Sequence, residues 1–94
     1  MEDNFTDIPA GTPLDFDQLI FYLEQGREIE FTYEGVEYFI SNSKKEGRAL
    51  WSGNQKLSAN FTTFNLEVLK NIKLQDKSLD DIFKTHKGFV QAVF

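Results

Sequence analysis

The sequence predicts an α+β fold: a small antiparallel meander of three to four strands packed against one N-terminal and two C-terminal helices. Three observations carry that prediction. Apolar and polar residues alternate from Glu28 up to Glu34-Gly35 and resume in register beyond it, as a β-hairpin requires. Upstream, Phe16, Leu19, Ile20 and Leu23 recur at i, i+3, i+4 and i+7, the apolar stripe of a helix. Downstream, Ser78 and Asp81 have capping-box spacing ahead of the apolar Leu79, Ile82 and Phe83.

Taken in order, Met1 to Pro13 reads as a flexible leader punctuated by Pro9, Gly11 and Pro13, and residues 14–94 as a single domain. Asp15 is a good N-cap with Gln18 three residues on, and Gly26 is a natural stop for that helix. Phe21 and Tyr22 fall off its stripe, so the helix is either covered on two sides or exposes aromatic surface. In the hairpin, a two-residue loop sets Tyr33 opposite Val36, Phe31 opposite Tyr38 and Ile29 opposite Ile40, which gathers six apolar side chains on one face. Glu28, Glu30 and Glu37 point to the other face with Thr32 and Ser41. Phe39 joins them there as the one residue out of pattern.

Beyond the hairpin, Asn42 to Gly47 reads as a polar, lysine-bearing loop. Arg48 to Ser52 and Gln55 to Phe61 read as two short strands around Gly53-Asn54, in a register that the alternation of Leu50, Trp51, Leu57 and Ala59 does not select. A helix is expected over Phe64 to Asn71, capped by Thr62 or Thr63, with a short extended piece at Ile72 and Leu74. The last helix starts at Ser78 and is expected to end at Gly88. The apolar stretch Phe89 to Phe94 either docks on the core, which is the expectation, or awaits a partner.

Composition sets the scale: 94 residues, 40% hydrophobic and 15% aromatic, more apolar bulk than a disordered chain carries. A chain of this length buries roughly 60 to 65% of its unfolded surface, so the ten Phe, three Tyr and Trp51 must make a dense core. Cysteine is absent, which removes disulfides, thiolate metal sites and thiol catalysis. The N-terminal stretch has no apolar run, so neither an export signal nor a membrane span is expected, and a cytoplasmic location is. Charge is distributed unevenly. Residues 1–37 hold ten acids against Arg27, a net −9, whereas residues 38–94 hold nine Lys or Arg against five acids, a net +4. Acids crowded into one stretch either solvate the fold or offer a negative surface to a basic partner.

The run Gly26-Arg27-Glu28-Ile29-Glu30-Phe31-Thr32-Tyr33-Glu34-Gly35-Val36-Glu37-Tyr38-Phe39-Ile40, followed by Leu66 to Leu74 and Lys77-Ser78-Leu79-Asp80-Asp81-Ile82-Phe83, resembles short uncharacterised α+β proteins of low-GC Gram-positive bacteria and their phages. The resemblance spans about Leu14 to Thr85, and its motifs are a turn, a cap and core positions. It implies a setting among small accessory or mobile-element proteins and transfers no active residue.

No spacing of residues in the chain demands a particular chemistry. His86 is the sole histidine, flanked by Lys84 and Lys87 near a helix end, where it suits the helix dipole better than general-base or metal-ligand work. Glu28, Glu30 and Glu37 could gather around a divalent cation, but strand alternation produces such rows routinely and no calcium-loop spacing accompanies them. Gly-rich phosphate loops and nucleophile elbows are missing. No catalytic residue, cofactor or metal is therefore expected.

Single-stranded nucleic-acid binding through sheet aromatics, rimmed by Lys44, Lys45, Arg48 and Lys56, is one alternative; a pI near 4.7 opposes it. The reading carried forward is a small, acidic, non-catalytic protein-interaction or regulatory module. Its expected contact residues are Glu28, Glu30, Glu37 and Phe39, with Tyr22 and Trp51 next, and its expected partner is a protein of basic character. Two versions follow: a phage or mobile-element inhibitor that occupies a basic nucleic-acid-binding site of a host protein, and a homodimer joined through strand edges.

Overall fold

The hairpin forms with the register its alternation dictates. In the computed structural model, which describes residues 9–62 and 66–94, Glu34 and Gly35 both take positive φ, 53° and 77°. Those are the angles of a type I′ turn, whose twist matches that of the strands it joins. Ile29 lies opposite Ile40, Phe31 opposite Tyr38 and Tyr33 opposite Val36. Five of these six side chains are buried; Val36, beside the turn, stays exposed.

The chain is a mixed helix-and-sheet protein. Its elements run β1 (Thr12–Pro13), α1 (Phe16–Glu24), β2 (Ile29–Tyr33), β3 (Val36–Ser43), β4 (Gly47–Ser52), β5 (Gln55–Lys56), α2 (Leu66–Asn71), β6 (Lys73–Leu74), β7 (Lys77–Ser78), α3 (Leu79–Lys84) and β8 (Phe89–Val93). Six strands make one antiparallel sheet in the order β1-β8-β2-β3-β4-β5, and β6 and β7 form a separate two-stranded ribbon. The three to four strands expected from sequence are thus too few. Phe89 to Phe94 supplies an inner strand rather than a docked tail, and Thr12-Pro13, expected in the leader, pairs with it as an edge. Proline fits there because an edge strand can spare an N–H.

One other expectation needs correction. The strand β3 continues through Asn42 and Ser43, so the lysine-bearing loop shrinks to residues 44–46, closed by Gly47 at φ +81°. A side chain at Gly47 would press on the Phe61 carbonyl, which receives a hydrogen bond from the Arg48 amide at 2.8 Å. The helix expected over Phe64 to Asn71 is seen as Leu66–Asn71; Phe64 and Thr63 lie outside the described residues.

All three described helices pack on one face of the sheet. Leu14, Phe16, Leu19, Tyr22 and Leu23 from the first helix and its approach, Leu69 from the second, and Leu79, Ile82 and Phe83 from the third meet Ile29, Phe31, Tyr33, Tyr38, Ile40, Leu50 and Val90. Phe31 stacks on Tyr38 at 5.5 Å and takes the edge of Phe83 at 5.1 Å. Tyr33, at the end of this face, has its hydroxyl pushed up by desolvation, with smaller contributions from Glu34 and Tyr38. None of the described helices is long and apolar enough to cross a membrane.

Helix ends are closed by backbone geometry and by one buried cation. Asp15 accepts from the Gln18 amide at 2.8 Å while the Gln18 side chain accepts from the Asp15 amide at 3.1 Å, a complete capping box. Ser78 Oγ accepts from the Asp81 amide at 3.2 Å. At the far end of α1, Gly26 donates to Leu23 and Arg27 to Tyr22, the paired bonds of a Schellman motif. The Arg48 guanidinium then donates to the Leu23 carbonyl at 2.7 Å and the Arg27 carbonyl at 2.8 Å. Arg48, assigned from sequence to a basic rim, is instead buried on the helix side of the sheet, 2% exposed, where its charge faces the negative end of α1. Burial lowers its proton affinity and Glu28 raises it; an arginine stays charged in either case.

The stop of α3 is not Gly88. His86 takes the left-handed conformation at φ 58°, donating to Phe83, and Lys87 donates to Ile82, so the same motif is built with a histidine where glycine is favoured. Gly88 serves a different end: a side chain there would collide with the Phe83 ring.

Replacing His86 by Gly is expected to raise stability by about 1 kcal/mol, read from the urea midpoint, because the left-handed backbone then carries no Cβ penalty. Arg48→Met keeps the bulk but removes the guanidinium from the Leu23 and Arg27 carbonyls, and is expected to cost about 2–4 kcal/mol in the same assay.

Candidate functional site

With the described helices on one side, no helix among the described residues covers the other side of the sheet, whose floor is aromatic. Strand alternation turns Glu30 and Thr32 of β2, Glu37, Phe39 and Ser41 of β3, and Ala49 and Trp51 of β4 to this outer face, because their neighbours Phe31, Tyr38, Ile40 and Leu50 are committed inward. Ladder pairing places Glu30 opposite Phe39 and Phe39 opposite Trp51, one row across three strands. Side chains so paired lie about 5 Å apart at Cβ.

Trp51 is half-buried, and its orientation is held. Its indole N–H donates to Ser41 Oγ at 3.0 Å, and the Ser41 hydroxyl donates to the Ala49 carbonyl at 3.3 Å. The ring's polar edge is thereby satisfied inside the sheet. Phe94, just past β8, brings its ring to 6.0 Å from Phe39, edge to face. Its backbone is fixed by donation of its amide to the Glu28 carbonyl at 2.8 Å and by the Arg27 guanidinium on the Val93 and Phe94 carbonyls. Between these rings runs a shallow groove of about 630 Å³ whose charged lining is Glu28, Glu30, Glu37 and Glu46.

Five of the six residues expected to form a contact surface, Glu28, Glu30, Glu37, Phe39 and Trp51, line this one groove. Glu28 also has a structural task, accepting the Asn42 amide at 2.9 Å and so tying the entry of β2 to β3. Tyr22 is elsewhere. It lies on the buried face of α1, 5% exposed, against the Arg27 guanidinium at 5.5 Å, while its neighbour Phe21 is the exposed aromatic of that helix. The 3.6-residue period explains the difference: Tyr22 follows Leu19 by three residues and so joins the buried stripe. Sequence reasoning missed Phe94, Ala49 and Glu46. Phe89 to Phe94 reads in sequence only as an apolar stretch, and its place next to β2 depends on pairing across the whole chain.

The arrangement contains the parts of a binding surface. His86 is exposed at the end of α3, away from the groove lining, and among the described residues no three His, Cys, Asp or Glu side chains converge closely enough to hold a metal ion. Charged and aromatic groups on a concave sheet face can recognise a ligand without any bond being made or broken.

The two faces of the hairpin are distinguished by their cost of truncation. Phe31→Ala is expected to lose about 3–5 kcal/mol, as for a fully buried ring, whereas Phe39→Ala is expected to lose less than about 1.5 kcal/mol because its ring already meets water. Urea denaturation of both variants reads the difference.

Comparison with protein-family models, with curated proteins and with solved structures returned no match for this chain.

Proposed function

We propose that this protein is a non-catalytic interaction module that docks a partner protein on the outer face of its sheet. The observation that carries this reading is the one-sidedness of the fold: every described helix covers the inner face, and Phe39, Trp51 and Phe94 are left on the other around a groove. Aromatic side chains with satisfied polar edges are strong anchors at protein interfaces, because they bury much area for little lost freedom. A rim of carboxylates adds direction to such a surface.

Self-association through strand edges fits less well. The outermost strands β1 and β5 are two residues each, too short to template a partner strand. Along β4 the free margin is already occupied: Leu57 donates to the Leu50 carbonyl, Ser58 Oγ accepts the Leu50 amide, and Phe61 exchanges both bonds with Arg48.

A photo-crosslinking phenylalanine analogue placed at position 39 or 51 is expected to form adducts with a partner protein in cells producing the chain, and the same group at exposed Glu67 on α2 is not. Absence of adducts from both outer positions, in variants that fold normally, removes this face as the docking site.

A further inference from the structure

We infer that the segment received by the groove is arginine-bearing, its guanidinium seated over the Phe39 and Trp51 rings between Glu30 and Glu37; this rests on the docking face proposed above. The charge of the lining is the first argument. Glu28, Glu30, Glu37 and Glu46 line the groove, and no lysine, arginine or histidine is among the lining residues. At the sheet margin Lys56, opposite Trp51, gives its ammonium to the Asn60 side-chain oxygen. The charged side chains of the lining are therefore all of one sign, with the Lys56 ammonium and the Arg27 guanidinium at its border.

Geometry supplies the second argument. Glu30 is directly opposite Phe39, and Glu37 stands two residues along the same face of β3, so carboxylates flank the ring on two sides. Trp51 completes the row, and with its indole N–H taken by Ser41 the ring has its π face to offer. Cations are attracted to such faces, and a planar guanidinium stacks on a ring while its edge donates to carboxylates, a combination that the rounder ammonium of lysine matches less well. The methylene stem of the arginine covers apolar surface at the same time.

The same lining opposes two other occupants. A single-stranded nucleic acid would bring phosphates against four carboxylates, and a second copy docked face to face would set the two acidic rims against each other.

The test is a nuclear magnetic resonance titration of the whole chain with a hexa-arginine peptide, a hexa-lysine peptide and a twelve-residue oligothymidylate. Hexa-arginine is expected to shift the Trp51 indole and the Phe39 and Ala49 amides, more tightly than hexa-lysine, with affinity falling as salt rises. E30Q/E37Q is expected to weaken hexa-arginine at least tenfold, while D17N/E24Q on α1, which removes the same charge, weakens it less than twofold. Equal weakening by the two variants would show a diffuse charge effect and overturn the inference, as would oligothymidylate binding in the groove. Crosslinks from positions 39 and 51 to a partner segment without arginine would overturn it too, while leaving the docking face standing.

Discussion

The inward commitment of Phe31 is the constraint on which the other features depend. Its ring sits fully buried between Tyr38 on the neighbouring strand and Phe83 on α3, and Val90 of β8 lies across from it. One residue thus joins the hairpin, the last helix and the returning strand. Because side chains alternate along a strand, holding Phe31 inside forces Glu30 and Thr32 outside, and the partner strands follow: Tyr38 in, Phe39 out; Leu50 in, Trp51 out. The aromatic groove is the complement of the core, generated by the same register.

Polar groups at the margins decide how far that sheet extends and where it stops. A bulge at Gln91, whose side-chain amide donates to Thr32 Oγ1, lets β8 keep Val90 and Val93 on the inner face although two residues separate them and only Glu30 separates their partners Phe31 and Ile29 on β2. On the other side, Arg48 ties β4 to the end of α1 through the carbonyls of Leu23 and Arg27. A hydrophobic side chain at that place would take these two charge-assisted bonds away from the helix end. The helix layer and the sheet are therefore joined by a directional contact as well as by area.

Much of the local structure was legible. The Glu34-Gly35 turn, the Asp15 box and the Ser78 cap are short-range devices whose partners lie within three residues, so sequence spacing suffices to find them. The ribbon of β6 and β7 was half seen, because its turn uses Gln75 and Asp76, both at positive φ, rather than the usual Asn-Gly. The end of α3 was misplaced by two residues because His86 occupies a position that favours glycine, while the visible Gly88 answers to the bulk of Phe83. Four of the six expected contact residues came from hairpin alternation alone: Glu28, Glu30, Glu37 and Phe39.

By itself, the sequence determined which residues form the central hairpin, which face of it turns to water, and where two of the helices begin, since periodicity and capping are local physics. Tertiary structure alone decided that Phe89 to Phe94 lies beside β2, that Arg48 is buried at a helix end, and that Trp51 faces outward rather than into the core. The reason is common to all three. Each depends on which strand pairs with which and in what register, and a shift of one residue, nearly silent in composition, would exchange the two faces of the sheet.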